Sequence, residues 1–282
     1  MTWDLDGRVA VITGGASGIG AELARQLAAK GMRIGLIDRD AERLATVLPS
    51  AETAVADVRD AAALTRAVDD LAARLGGIDV AIANAGIATG GPLRLVGPDT
   101  VEDTINVNLL GVWRTARAAL PHLIERRGHL LLVSSAAAPL PSAGLGAYSA
   151  SKAGVEALGR ALRVELRPHA VSVAVAYYLF LATPMVEASD RSPIFTGARD
   201  RLPKALGRTY PVEPAVARTV AGIEKRARTV TYPPFLRGLI ALRGLLDNPL
   251  LDREAAKNVP AMERAFAAEA ERVGADAAAR PT

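Results

Sequence analysis

The first apolar run of the chain constrains the fold most, because it leads straight into a glycine-rich turn and then a helical pattern. The run Val9–Thr13 is followed by Gly14-Gly15-Ala16-Ser17-Gly18-Ile19-Gly20. Glycines let the backbone bend sharply there, and the free N–H groups of the following helix attract an anion. A strand, glycine turn and helix in this order predict a site for the pyrophosphate of a dinucleotide. The residues expected to form it are Gly14, Ser17, Gly18, Ile19 and Gly20.

The rest of the chain alternates short β-branched runs with longer helical patterns, which is typical of a parallel sheet covered on both faces. Strands are predicted at Val9–Thr13, Arg33–Asp38, Thr53–Asp57, Val80–Ala83, Leu130–Ser134, Val171–Tyr177 and Thr229–Tyr232. Helices are predicted near residues 19–30, 40–47, 60–75, 99–126, 148–167 and 213–227, the fifth stopping at Pro168. We therefore expect an α/β, doubly wound parallel sheet (a Rossmann fold) of about seven strands with helices on both faces.

Two segments lie outside this pattern. Residues 187–212 are expected to be a long substrate loop within a Rossmann-fold domain of residues 1–234. Residues 235–282 are expected to be a C-terminal helical extension rather than a separate domain. Within it, we predict a charged helix around residues 252–273 and a frayed end at 275–282.

A carboxylate at the end of the second strand bears on the choice of cofactor. Asp38 lies 24 residues after Gly14, where it can accept hydrogen bonds from the adenosine ribose and repel a 2′-phosphate. NAD is therefore expected, although Arg39 could pair with such a phosphate and leaves NADP possible. The structural alternative is that Asp38 caps the helix from Ala41.

Polar residues also follow the next two predicted strands. Asp57-Val58 and Asn84-Ala85-Gly86 stand at strand ends that meet at one edge of a parallel sheet, so both sets are expected in the cofactor crevice. The alternatives are that Asp57 caps the helix from Asp60 and that Asn84-Ala85-Gly86 is a plain turn.

Tyr148 and Lys152 lie one helical turn apart and share a face of the predicted helix. A fixed ammonium favours a phenolate and lowers the pKa of a tyrosine, which suits Tyr148 to proton transfer. Ser135 ends the fifth strand and can donate to a substrate oxygen, and Asn108 is a polar residue on an apolar segment. Lys152 could instead pair with Glu156.

Together these motifs resemble the short-chain dehydrogenase/reductase superfamily, in its single-domain branch. The match covers Thr13-Gly14-x-x-x-Gly18-x-Gly20, Asn84-Ala85-Gly86, Asn108, Ser135 and Tyr148-x-x-x-Lys152, across about residues 7–186. The resemblance implies an NAD(P)-dependent oxidoreductase acting on CH–OH groups, as a homodimer or homotetramer joined through helices 99–126 and 148–167.

The resemblance also implies roles. Tyr148 would be the acid or base, Ser135 would position the substrate oxygen, and Asn108 would hold a proton-relay water. Lys152 would also bind the nicotinamide ribose, and Tyr148 would be a cofactor-binding residue as well. Asp57 and Val58 would contact adenine, and Thr183 would bind the carboxamide.

One departure affects the substrate pocket, because Tyr178-Leu179 stands where the family usually has Pro-Gly. The residues expected to line the pocket are Leu140, Leu145, Tyr178, Leu179 and Phe180. No anionic-substrate anchor is evident, although Arg94 and Arg191 could swing in. A lipophilic, steroid- or terpenoid-like secondary alcohol or ketone is the expected small-molecule substrate.

Composition excludes other classes. The chain has no cysteine and three scattered histidines, so no metal site is expected. A net charge of +4 without a dense basic run predicts no nucleic-acid partner. No signal peptide or spanning segment is recognised, which predicts a cytoplasmic protein, although residues 235–246 could lie on a membrane surface. The alternatives are an NADPH-dependent carbonyl reductase and a non-catalytic nucleotide-binding regulatory protein.

Overall fold

The computed structural model describes residues 2–192, 194, 199, 202–246 and 248–280. Its strands are β1 (Val9–Thr13), β2 (Arg33–Asp38), β3 (Glu52–Val55), β4 (Val80–Ala83), β5 (His129–Val133), β6 (Ser172–Tyr178) and β7 (Thr229–Tyr232). They form one sheet in the order β3-β2-β1-β4-β5-β6-β7, in which every paired strand is parallel. The expected Rossmann-like sheet is confirmed, and the chain reverses direction across it between β1 and β4.

Helices cover both faces of this sheet. Up to β7 they are α1 (Gly18–Ala28), α2 (Ala41–Val47), α3 (Ala61–Leu75), α4 (Pro98–Ile105), α5 (Gly111–Arg126), α6 (Gly146–Glu165), α7 (Pro184–Arg191), α8 (Lys204–Gly207) and α9 (Val212–Glu224). Alternate strand residues point to opposite faces. In β1, Val9 and Val11 pack with α3, α5 and α6, whereas Ala10 and Ile12 pack with α1 and α9.

Two predicted helices differ from the structure in a way that matters for the site. The segment 99–126 is interrupted by a π-helical turn, Asn106–Leu110, between α4 and α5. Such turns add a residue to the helix and re-aim its side chains. Helix α6 ends at Glu165, and Pro168 lies in a following 3₁₀ turn, Arg167–His169.

The C-terminal extension is helical, as expected. It contains α10 (Leu236–Ala241), α11 (Arg243–Leu246), α12 (Pro249–Ala256), α13 (Val259–Val273) and α14 (Ala275–Ala278). Two predictions for it were wrong. The charged segment is two helices rather than one, and residues 275–280 are not frayed, because Ala278 and Ala279 are buried beside Phe266. Residues 281 and 282 lie outside the described residues.

The apolar stretch from residue 235 packs in part on its own protein. Leu236 is fully buried against Tyr177, with Leu140 beside it, whereas Leu242 and Leu245 are exposed. Of the expected loop 187–212, the structure describes the end of α7, all of α8 and a bridge from Leu181 to Tyr210. Residues 193, 195–198, 200 and 201 of that loop lie outside the described residues.

Within the described part of the chain, no helix combines the length and apolar character needed to cross a bilayer. The same residues contain no cluster of three or more side chains able to hold a metal ion.

Candidate active site

The glycine turn between β1 and α1 packs so closely on its neighbours that no side chain fits at Gly14 or Gly20. Gly14 has a φ of +67°, and a Cβ there would lie 2.7 Å from Ala85 Cα. A methyl group on Gly20 would overlap the Gly14 carbonyl oxygen. The Asn84 amide fastens the turn to β4 by donating to the carbonyl oxygens of Thr13 and Gly14, at 3.1 and 3.0 Å. Asn84 is therefore more than part of a plain turn.

Helix α1 begins without a side-chain cap. Ser17 occupies the N-cap position but its side chain accepts no hydrogen bond from the helix, and Gly18 has a φ of +52°. The first N–H groups of α1 therefore face the crevice, an arrangement that fits a phosphate.

Asp38 belongs to the turn rather than to helix α2. Its carboxylate accepts from the backbone N–H of Ala16 at 3.0 Å and of Asp40 at 3.1 Å. The capping alternative was wrong, because Asp40 is the N-cap of α2 and accepts from Arg43 N at 3.0 Å. Arg39 is exposed at the edge of the same crevice.

Asp57 is held by an arginine rather than by helix α3. The guanidinium of Arg59 lies 2.7 Å from its carboxylate and holds the pKa of Asp57 below its ordinary value. Asp60 is the N-cap of α3, so the capping alternative for Asp57 was also wrong. Val58 is buried beside Asp57.

Asn108 is fully buried on the π-helical turn and faces the segment after β4. Its Oδ1 accepts from Ile87 N at 2.8 Å, and its Nδ2 donates to Ile87 O at 2.9 Å. The same Nδ2 lies 3.3 Å from Ser151 Oγ. Asn108 therefore joins the segment after β4 to helix α6.

Tyr148 and Lys152 share a face of α6, with the Lys152 Nζ 5.8 Å from the Tyr148 ring centroid. Burial lowers the pKa of Lys152 to about 8, and its Nζ donates to Val133 O at 3.1 Å. Burial raises the pKa of Tyr148, although a hydrogen bond with Ser135 opposes this. Within the protein alone, desolvation therefore outweighs the effects that favour the phenolate, whereas the lowered pKa predicted for Tyr148 rests on Lys152 and a bound nicotinamide cation together.

The alternative pairing of Lys152 with Glu156 was wrong. Glu156 is buried and binds Arg160 at 2.6 Å and Arg243 of the extension at 2.8 Å. Lys152 is therefore available to the crevice.

A single cavity of about 330 Å³ brings most of the predicted residues together. The predicted residues that line it are Gly14, Ser17, Gly18, Ile19, Asp38, Arg39, Asp57, Val58, Asn84, Ala85, Gly86, Ser135, Tyr148, Lys152, Tyr178, Leu179 and Thr183. Gly20 and Asn108 lie behind this surface, where they support the turn and Ile87.

Three predicted substrate residues lie away from the cavity. Leu140 packs with Leu236, Leu145 precedes α6, and Phe180 stacks under the Arg199 guanidinium at 4.6 Å. Tyr178 borders the cavity, but its hydroxyl lies 2.7 Å from Thr219 Oγ1 in the core on the α9 side. Leu179 is half-buried and lines the same cavity as Ser135, Tyr148 and Lys152.

Two supporting hydroxyls were missed from sequence. Ser134 Oγ donates to Lys152 O at 2.9 Å, and Ser151 Oγ donates to Tyr148 O at 2.7 Å. Both are adjacent in sequence to a predicted catalytic residue, and that adjacency is the signal that could have found them.

Comparisons with known proteins agree with this geometry. Residues 8–193 match the family model described as short chain dehydrogenase. The chain is 37% identical over 217 residues to a (-)-trans-carveol dehydrogenase of Rhodococcus erythropolis, a match that covers 68% of this chain and 77% of the relative.

Two solved structures are similar over nearly their whole length. A gluconate 5-dehydrogenase of Burkholderia cenocepacia in complex with NADP and tartrate has a TM-score of 0.74 at 29% identity, covering 83% of this chain and 96% of that one. A 3-ketoacyl-(acyl-carrier-protein) reductase of Brucella melitensis complexed with NADH has a TM-score of 0.73 at 27% identity, covering 81% and 97%. The chain therefore belongs to the short-chain dehydrogenase/reductase family and is an NAD(P)-dependent oxidoreductase that acts on CH–OH groups.

Proposed function

We propose that the chain transfers a hydride between NAD and a lipophilic secondary alcohol or ketone of steroid- or terpenoid-like shape. The observation that carries this proposal is the composition of the cavity around Tyr148. Of the charged side chains that line the cavity, only Lys152 lies beside the reacting groups. The others, Asp38, Arg39, Asp40, Arg43 and Asp57, follow β2 and β3 at the adenosine end.

Away from the adenosine end, the uncharged lining is largely apolar, although it also includes Ser134, Ser135 and Thr183. Its apolar residues include Ile87, Val133, Leu179, Leu181, Met185 and Val186. Arg94, a conceivable anchor for an anionic substrate, is held by Glu263 at 2.7 Å. A surface of this kind favours hydrocarbon over carboxylate or phosphate. Similarity to a relative named for carveol, a terpenoid alcohol, points in the same direction.

The proton chemistry is assigned to three side chains of this protein. Ser135 donates to the substrate oxygen, and Tyr148 takes the alcohol proton or returns it to the carbonyl. Lys152 supplies positive charge beside the phenol and binds the nicotinamide ribose. The bound nicotinamide ring accepts or provides the hydride. The positive charge of its oxidised form further favours the phenolate in a site where burial alone raises the pKa of Tyr148.

The cofactor residues are assigned on the same basis. Gly14, Ser17, Gly18 and Ile19 would hold the pyrophosphate, because they line the cavity at the start of α1, which has no side-chain cap. Gly20 would support this turn, since a methyl group there would overlap the Gly14 carbonyl oxygen. Asp57 and Val58 would contact adenine, and Asn84, Ala85 and Gly86 would border the ribose. Thr183, which is buried and caps α7, would bind the carboxamide.

We propose NAD rather than NADP because the Asp38 carboxylate faces the place of a 2′-phosphate. The test is Asp38→Asn, which keeps an oxygen for Ala16 N, removes the charge and gives up the contact with Asp40 N. The ratio of kcat/KM with NADP to that with NAD should rise at least roughly tenfold, equivalent to about 1.4 kcal/mol of relieved repulsion. An unchanged ratio would favour the second candidate, an NADPH-dependent carbonyl reductase, for which Arg39 and Arg43 at the cavity edge are the supporting observation.

The function itself is tested with Tyr148→Phe and a panel of lipophilic and polar secondary alcohols, followed by absorbance of reduced nicotinamide. Wild type should turn over the lipophilic alcohols, and the variant should lose roughly 10²- to 10⁴-fold in kcat while still binding NAD. Near wild-type turnover in the variant contradicts the mechanism. Reaction with polyols alone contradicts the substrate class. NAD binding without turnover of any alcohol by wild type would favour a regulatory protein.

We also propose that residues 1–234 and 235–282 act as one unit and that the chain forms a homodimer or homotetramer. Leu110, Trp113 and Val164, on or beside α5 and α6, expose apolar surface that would suit such an interface. Sedimentation equilibrium of wild type and of Trp113→Glu tests the assembly, because a charge in the interface should shift the mass towards the monomer.

A further inference from the structure

The C-terminal extension reaches the helix that leads to Asn108. Helix α4 begins after Gly97, which has no side chain to cap it. The carboxylate of Asp276, from α14, takes this place by accepting from Thr100 N at 3.2 Å and from Thr100 Oγ1 at 2.7 Å. A Cβ at Gly97 would overlap that carboxylate, so the two positions are complementary. One end of the chain thus caps a helix in its middle.

From Asp276 a line of buried hydroxyls runs towards the site. Thr100 O accepts from Thr104 Oγ1 at 2.6 Å, and Thr104 Oγ1 lies 2.6 Å from Thr89 Oγ1. Each of these threonines is less than 5% exposed. Since each hydroxyl has one proton, Thr104 donates to Thr100 O and accepts from Thr89, while the Thr100 hydroxyl separately donates to the Asp276 carboxylate. The line therefore passes through the backbone of Thr100 rather than through an unbroken chain of hydroxyls.

This line ends beside the Asn108 contacts. Thr89 lies two residues after Ile87, whose N–H and carbonyl group both bind the Asn108 amide. Asn108 in turn contacts Ser151, whose hydroxyl donates to Tyr148 O. Asp276 and Tyr148 are therefore joined through α4, the segment after β4 and the first turns of α6.

Further contacts hold the same segment. Gly90 N donates to Ala279 O at 2.9 Å, and the Phe266 ring fills the space that a side chain at Gly91 would need. Arg280 binds Asp103 of α4 at 2.8 Å. The extension thus contacts both the helix before Asn108 and the segment that Asn108 binds.

We propose that Asp276 is a positioning residue: it caps α4 and thereby fixes the Asn108–Ile87 contact beside Tyr148. It touches neither substrate nor cofactor, and its effect on turnover rests on the proposed function. Its effect on the Asn108–Ile87 contact is independent of the proposed function. The two parts can therefore be tested separately in the full-length chain.

The first measurement is hydrogen exchange of Asp276→Ala without substrate. Peptides covering residues 85–90 and 100–110 should exchange at least about fivefold faster than in wild type, the change that a lost cap confers on local opening. Asp276→Asn keeps an acceptor oxygen and should stay within about twofold of wild type, because asparagine caps helices as well as aspartate does. Asp60→Ala is the matched control, since it removes the N-cap of α3.

The second measurement is steady-state kinetics of the same variants. Asp276→Ala should lower kcat about fivefold and leave the KM for NAD within twofold, whereas Asp60→Ala should leave both close to wild type. Unchanged exchange at residues 85–90 in Asp276→Ala overturns the proposal, and so does an equal loss of kcat in Asp60→Ala. If no alcohol is turned over by wild type, the proposed function fails, while the exchange result still decides whether Asp276 positions Asn108.

Discussion

The cofactor side and the substrate side of the cavity are built differently. The cofactor side, from the glycine turn to Asp57, is formed by residues at the ends of successive strands and is fastened by short backbone contacts. On the substrate side, Ile87 lines the cavity and begins the segment of residues 87–97, which is held by the C-terminal extension. The extension also holds the neighbouring helix through the contact between Thr100 and Asp276, which are 176 residues apart. One side thus follows from the order of the strands in the sheet, whereas the other needs the C-terminal extension to pack on the middle of the chain.

The substitution with the largest expected effect disrupts the cofactor side alone. In Gly20→Ala the new methyl group meets the Gly14 carbonyl oxygen, so α1 must move away from the turn. We expect NAD to bind roughly 10²-fold more weakly, because overpacking of this kind costs about 1–3 kcal/mol. Titration calorimetry measures it, with Gly238→Ala as the control, since nothing lies within 4 Å of a Cβ there. Wild-type affinity in Gly20→Ala would show that the turn does not hold the cofactor.

The substitution with the second largest expected effect disrupts the substrate side. Phe266 is 1% exposed and packs against residues of the segment 87–97. Phe266→Ala should lower the free energy of unfolding by about 3 kcal/mol and raise the KM for the alcohol, while the affinity for NAD stays within twofold. Denaturant titration and kinetics measure this, and the exposed Leu242→Ala serves as the control. Equal losses of alcohol and NAD binding would mean that the two sides are not separable.

A third prediction concerns Lys152, where the two sides meet. Its pKa of about 8 lies below that of a free lysine, so between pH 8 and about 10 the unfolded chain binds more protons than the folded one. The free energy of unfolding of wild type should therefore rise by about 2 kcal/mol from pH 7 to 9.5, relative to Lys152→Met. Urea titrations at both pH values measure the difference. Parallel pH dependence in the two proteins would show that Lys152 is not desolvated.

The smallest effect is expected at Tyr178, and it tests whether the hydroxyl of this residue belongs to the substrate side. The Tyr178 hydroxyl bonds to Thr219, whose own hydroxyl donates to Ala215 O at 2.9 Å. Tyr178→Phe therefore leaves Thr219 satisfied and should cost only about 1 kcal/mol of stability. The kcat and the KM for the alcohol should be unchanged. A shift in that KM of more than twofold would mean that this hydroxyl reaches the substrate.

Much of the fold and of the cofactor side was predictable. Alternating strands and helices determine a parallel sheet, and the ends of its strands bring residues as separate in sequence as Asp38, Asn84 and Ser135 to one edge. The helix spacing of Tyr148 and Lys152 was sufficient to place them together. What failed was the assignment of individual caps, because Asp38 and Asp57 each have another acidic residue two or three positions later that fits the cap better.

The sequence by itself determined the sheet, the glycine turn and the placement of Tyr148 and Lys152 on one helix face, because these depend on short-range periodicity and on strand order. Only the tertiary structure decided that Tyr178 turns into the core, that Glu156 belongs to Arg160 and Arg243, and that Asp276 caps α4. The physical reason is clearest at Glu156, for which Lys152 and Arg160 are equally close partners in sequence, four residues away on either side. Burial and the need to satisfy each polar group select among them only once the chain is packed.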